Sequence, residues 1–154
     1  MRTTVLTALT TLGLASTALV AAPVHASDAD SADRAVDYAL AQRSDSYRTG
    51  GDGPRAYDCS GLTWRSYREA GVRIPRVSDD QYRNGGRTVP MSERQAGDLV
   101  FWTENGRASG IYHVGLLVDR NQVVEAASPE QDVHKVHLYE RDSMMDHVVR
   151  PAAH

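Results

Sequence analysis

Cys59 is the one cysteine in a sequence of 154 residues, so its thiol has no partner within the chain for a disulfide. A free thiol reads either as a small buried hydrophobe or as a nucleophile. Asp58 suits a helix N-cap, Cys59-Ser60-Gly61 the first turn, Leu62, Tyr67 and Ala70 the inward positions, and Gly71 the residue just past the helix end. At such a helix start the unpaired N–H groups and the positive end of the dipole favour an anionic sulfur. The backbone N–H of Cys59 can also contribute to an oxyanion site. Attack on an amide carbonyl further needs a base within hydrogen-bond reach and a third group to orient that base. His113 and Glu125 are the residues that can fill those two roles.

Their positioning depends on strands. Asp98 to Trp102, His113 to Val118 and Gln122 to Ala126 have strand character, and Asp119-Arg120-Asn121 is the turn between the last two. A hairpin centred near Asp119 sets His113 opposite Glu125, with both side chains on one face. Further strands are expected at Lys135 to Tyr139 and at His147 to Arg150. Ahead of them, Ala32 to Arg43 carries Ala32, Ala35, Val36, Ala39 and Leu40 at helical spacing, with Ser31 as N-cap. The loop from Ser44 to Ala56 holds Gly50, Gly51, Gly53 and Pro54, a composition that lets backbone approach another group closely. The segment after Pro75 to Glu93 reads as polar, with Asp79-Asp80 in a solvated loop, and Tyr139 to Met145 as a loop or short helix. Helices come first and antiparallel strands follow, an α+β order without βαβ repeats.

Met1-Arg2 gives a positive start, Thr3 to Ala22 is small, apolar and uncharged, and Val24-His25-Ala26 puts small residues at the −3 and −1 positions. This predicts a secretory signal peptide over residues 1–26, cleaved after Ala26, and a secreted domain over 27–154 in the extracellular space or cell wall. An uncleaved anchor is the competing reading, but the stretch is rich in Thr, Gly, Ala and Ser and stops near the ~20 residues that a bilayer span needs. No membrane association is expected after cleavage. Outside the cytoplasm a lone thiol is open to oxidation and mispairing, so its retention calls for a reason. With 17 basic against 20 acidic residues, and arginines scattered along the chain apart from Lys135, nucleic acid is excluded as an expected partner. One domain fits the remaining length, and a monomer is expected.

Three blocks carry a resemblance: Tyr57-Asp58-Cys59-Ser60-Gly61-Leu62, then Ala96-Gly97-Asp98-Leu99-Val100-Phe101-Trp102, then His113-Val114-Gly115-Leu116. In order and rough spacing they resemble the signature blocks of the NlpC-type cell-wall endopeptidases, papain-like cysteine peptidases of peptidoglycan. The likeness covers about Ala32 to Pro151. It implies an α+β papain-like fold with N-terminal helices packed on an antiparallel β-sheet, and neither cofactor nor metal. Cys59 is then the nucleophile, His113 the base and Glu125 the third polar residue, where many members have His, Asn or Gln. The resemblance also implies that Tyr57, Asp58, Ser60, Arg76 and Ser78 line the substrate side. Peptidoglycan stem peptides or muropeptides suit such a lining, since their free carboxylates and amines need Arg and Asp or Ser partners. The reaction implied is hydrolysis of the amide between D-glutamate and the following diamino acid. Two departures stand out: Thr49 occupies a place where many members have an aromatic before the glycines, and Ala96 one where Pro is frequent.

Other readings compete. A zinc amidase built on His113, His137 and Asp132 lacks any His-Glu-x-x-His spacing, and His134 and His137 point to opposite faces of a strand, as solvated histidines. A papain-like amidase acting on another wall amide would use the same Cys/His pair. A non-catalytic binder of wall fragments has no need of nucleophile, base and third residue together. His147 and His154 read as solvent or terminal histidines, and Trp64 and Trp102 as core or cleft-edge aromatics.

Overall fold

In a computed structural model the residues described are 27–138 and 142–152, so the expected signal peptide and His154 lie outside them. Helix α1 (Asp28–Ala41) begins ahead of its apolar pattern because Ser27, and not Ser31, caps it. The Ser27 hydroxyl accepts from the Asp30 N–H while the Asp30 carboxylate accepts from the Ser27 N–H, a reciprocal capping box. Ser31 is instead buried within the helix. Short parallel strands β1 (Ser46–Tyr47) and β2 (Ala56–Tyr57) frame the glycine loop. Helix α2 (Cys59–Glu69) is capped by Asp58 and followed by Gly71 at φ 85°, as its sequence predicts.

Helix α3 (Ser78–Asn84) stands where the sequence reads as a polar stretch. Its single buried residue is a glutamine, Gln81, so no apolar period announces it. Asp79 and Asp80 belong to its first turn rather than to a solvated loop, and Arg83 reaches Asp79 at 2.7 Å.

Strands β3 (Arg87–Pro90), β4 (Leu99–Thr103), β5 (Ile111–Leu117), β6 (Gln122–Glu125), β7 (His134–His137) and β8 (His147–Arg150) form one antiparallel sheet in the order β3-β8-β4-β5-β6-β7. Side chains alternate across it. Leu99, Phe101, Val114, Leu116, Val124 and Val149 pack toward Ala35, Val36, Leu62 and Tyr67 of the helices. Val89, Val100, Trp102, Leu117, Val123 and Val148 form a second cluster in the opposite phase. Each fully buried Leu or Val contributes about 1.5–3 kcal/mol, so both faces matter to the fold. Residues 139–141 lie outside the described residues, and the segment after them is a turn at 142–143 rather than a helix, after which Met144 bridges Trp102 and the Met145 N–H donates to Phe101 C=O. Among the described residues no helix is long and apolar enough to cross a membrane.

The β5–β6 hairpin differs in register from the expectation. Leu116 pairs with Val124, Leu117 with Val123, and the Val118 N–H donates to Gln122 C=O, so the turn centres on Arg120 rather than Asp119. Glu125 is therefore diagonal to His113, not opposite. The shift moves the partner by two positions, which keeps both side chains on one face; a one-residue slip would have separated them.

The block Ala96-Gly97-Asp98 serves the scaffold. Tyr67 donates its hydroxyl to Gly97 C=O, and a Cβ on Gly97, whose φ is 87°, would lie 2.5 Å from the Ala32 side chain. Buried Asp98 accepts from the Gln95 N–H and holds Arg150 through Nε at 2.7 Å and Nη2 at 2.8 Å.

Candidate active site

The thiol is set by a close approach of two backbone segments. A Cβ on Gly61 would sit 1.9 Å from Gly51 C=O, and one on Gly51 would sit 2.7 Å from Ala56 C=O. Glycine at both positions lets the loop lie against the first turn of α2, where the Asp58 N–H donates to Gly51 C=O at 2.9 Å. Asp58 then joins the parts: Oδ1 accepts from the Gly61 N–H at 2.7 Å and Oδ2 from the Gly50 N–H at 2.8 Å. Arg76 grips the same carboxylate, Nη1 on Oδ1 at 3.0 Å and Nη2 on Oδ2 at 3.1 Å, and also donates to the Ser60 hydroxyl and Gly51 C=O. Three of the residues assigned to the substrate side, Asp58, Ser60 and Arg76, are thus brought together beside Cys59. Ser78 opens α3 two residues beyond Arg76 and is half-buried.

Tyr57 is a correction. It is fully buried, and its hydroxyl is held by the Tyr38 hydroxyl at 2.9 Å and by Gln42 Oε1 at 3.0 Å. A side chain filling the core cannot also line an open cleft. Burial, helped by the Tyr38 hydrogen bond, pushes its hydroxyl well above the ordinary phenol range.

Cys59 is a free thiol, half-buried against the helix-side core. His113 lies on β5 with its ring 4.9 Å from that of Trp102, its cross-strand partner on β4. Gly115, two residues on, keeps room on that face, since a Cβ there would meet Val123 at 2.4 Å. His113 donates from Nε2 to Glu125 Oε2 at 2.8 Å, leaving Nδ1 for its hydrogen bond to Cys59. Burial disfavours the imidazolium, but the hydrogen bonds and charges of Cys59 and Glu125 outweigh it, and the pKa is raised to about 9. The ring is therefore cationic through neutral pH, the state that stabilises a neighbouring thiolate.

Two further residues belong to this region, Gln81, which has no sequence signal, and His134. Gln81 is fully buried and donates from Nε2 to Ser60 C=O at 3.0 Å and to Pro75 C=O at 2.9 Å, while its Oε1 accepts from Thr63. It ties α3 to the turn that carries the thiol. His134, expected to be solvated, is the cross-strand partner of Glu125, with Nε2 3.5 Å from Oε1. Pairing the strand expected from Lys135 with the one at Gln122 to Ala126 exposes that contact. The same register puts His137 opposite Gln122, out of phase with Glu125 and His134 and hence with His113, so a zinc site using both His113 and His137 does not fit.

A thiol at a helix start, facing an imidazole and a carboxylate on an antiparallel sheet, defines a papain-like α+β protein. The chain belongs to the NlpC/P60 family, which matches residues 44–151. It is 44% identical over 82 residues to a probable endopeptidase p60 of Listeria monocytogenes, covering 52% of this chain and 16% of that protein. It is 44% identical over 71 residues to the peptidoglycan endopeptidase RipB of Mycobacterium tuberculosis, covering 46% of this chain and 27% of that one. The chain thus spans well under a third of the length of these curated relatives. Among solved structures, a P60 domain from a Mycobacterium avium subspecies paratuberculosis antigen matches with a TM-score of 0.71 at 28% identity, covering 80% of this chain and 96% of that domain. Crystalline RipB matches with a TM-score of 0.68 at 28% identity, covering 81% of this chain and 66% of that one.

Proposed function

We propose that this chain is a secreted, monomeric cysteine endopeptidase that hydrolyses an amide bond in peptidoglycan stem peptides or muropeptides, between D-glutamate and the following diamino acid. The observation that carries the reading is the line from Cys59 through His113 to Glu125, with the imidazole pKa raised to about 9 by those two neighbours. The name of the RipB relative, a peptidoglycan endopeptidase, supports the substrate class, and the composition of residues 1–26 supports export.

In the cycle, the Cys59 thiolate attacks the carbonyl carbon while the Cys59 backbone N–H helps to hold the oxyanion. The His113 imidazolium gives its proton to the leaving amine as the C–N bond breaks. His113, now neutral, takes a proton from water, the hydroxide adds to the thioester, and cleavage of the C–S bond returns thiolate and imidazolium. Glu125 holds the ring in orientation and offsets its charge throughout. Arg76 and Ser78 receive a stem-peptide carboxylate, and Asp58 an amine.

The test is incubation of the purified chain with muropeptides, with and without Cys59→Ala, and mass spectrometry of the products. A new stem-peptide fragment made only with the cysteine is expected. Product from the Cys59→Ala chain would end the nucleophile assignment, and a fragment cut at another amide would change the bond.

A further inference from the structure

Glu125 lies between two imidazoles. Its Oε2 takes the 2.8 Å hydrogen bond from His113, while Oε1 lies 3.5 Å from His134 Nε2. The other nitrogen of His134, Nδ1, lies 2.7 Å from Asp132 C=O, an atom that only accepts, so this nitrogen carries hydrogen. Both nitrogens of His134 therefore face oxygen acceptors. Burial runs in steps along the series: the Glu125 side chain is 6% exposed, His113 10% and His134 27%. The direct β6–β7 pairing of Glu125 with His134 fixes the contact through the backbone.

We infer that His134 is a positioning residue for the proposed reaction, holding the second oxygen of Glu125 so that the first stays aimed at the His113 ring. This rests on the catalytic reading of Cys59, His113 and Glu125. A contact on the second oxygen limits the swing of the carboxylate about its last side-chain bond, a swing that would lengthen its hydrogen bond to the imidazole. Anchored at both ends, the carboxylate keeps the ring of His113 turned with Nδ1 toward the sulfur. The effect belongs to the chemical step and not to substrate capture, because His134 reaches the reacting atoms only through Glu125.

The experiment compares His134→Phe, which keeps a ring but cannot donate, with His134→Gln, whose amide N–H can still reach Glu125. Steady-state rates on a muropeptide are read together with the rate of Cys59 alkylation by iodoacetamide at neutral pH, which needs no substrate. His134→Phe is expected to lower kcat about tenfold, the scale on which outer partners of a functional ligand act, with KM unchanged and alkylation slowed. His134→Gln is expected to restore most of both rates. If His134→Phe leaves kcat and alkylation at their original values, or if Gln and Phe lose equally, the positioning role is overturned. Cys59→Ala separates the two levels: if it keeps turnover, the catalytic reading itself fails, whatever His134 does.

Discussion

Asp58 and Asp98 each grip an arginine with both carboxylate oxygens, and each sits in a motif block, yet they serve different ends of the molecule. Asp98, 1% exposed in its side chain, ties the start of β4 to Arg150 on β8, 52 residues away, and touches nothing near the thiol. Asp58, 15% exposed, caps the helix that starts with Cys59 and gathers Arg76, Ser60 and the glycine loop around it. The same pairing of charges is sealed inside the scaffold in one case and left at the rim of the site in the other. A motif block therefore does not by itself mark chemistry; the burial of its charged member tells the two uses apart.

The largest expected effect follows from removing the sealed partner. Asp98→Ala leaves Arg150 without its carboxylate and the Gln95 N–H without an acceptor, and should cost about 3 kcal/mol of stability. Chemical denaturation measures it, and activity per folded molecule should not change; a fall in kcat at unchanged stability would erase the distinction. Asp58→Ala should cost less stability, about 1–2 kcal/mol for the lost cap. Unlike the first variant it should lower kcat/KM in the folded protein, since Arg76 and the turn before Cys59 lose their common partner. Smallest is Glu125→Gln, expected to slow turnover about tenfold and less than His113→Ala, because Gln still accepts from the imidazole N–H. Removing that negative charge lowers the His113 pKa, so the alkaline limb of the rate profile, near pH 9 in the parent, moves toward neutrality. Equal losses for Glu125→Gln and His113→Ala would show that the charge itself is required.

The parts legible in the sequence are those with a local signal. Asp58 before Cys59 and Gly71 after Ala70 bound α2 because capping is decided within a few residues. The strands β4, β5, β6 and β8 carry runs of Val and Leu that alternate or cluster, and they appear nearly where expected. Helix α3 escaped because its inward residue is an amide whose partners, Ser60, Thr63 and Pro75, are supplied by tertiary contact. The hairpin centre was misread by one residue because Asp119, Arg120 and Asn121 are all turn formers; Asp119 closes the turn by accepting from the Asn121 N–H. His134 reads as solvated from the sequence because a strand histidine has no meaning until its cross-strand neighbour is known.

The strand order carries a further consequence for how the molecule assembles. β8 comes last in the chain but lies inside the sheet, and the only strand that β3 pairs with among the described residues is β8. The hairpins β4–β5–β6–β7 can form by local zipping, whereas β3 must wait for residues 147–150, and so must the ion pair at Asp98. Closure of the β3 edge therefore waits on β8: a chain cut before His147 would keep Cys59, His113 and Glu125 in sequence, yet lack the segment that pairs with β3 and holds Asp98.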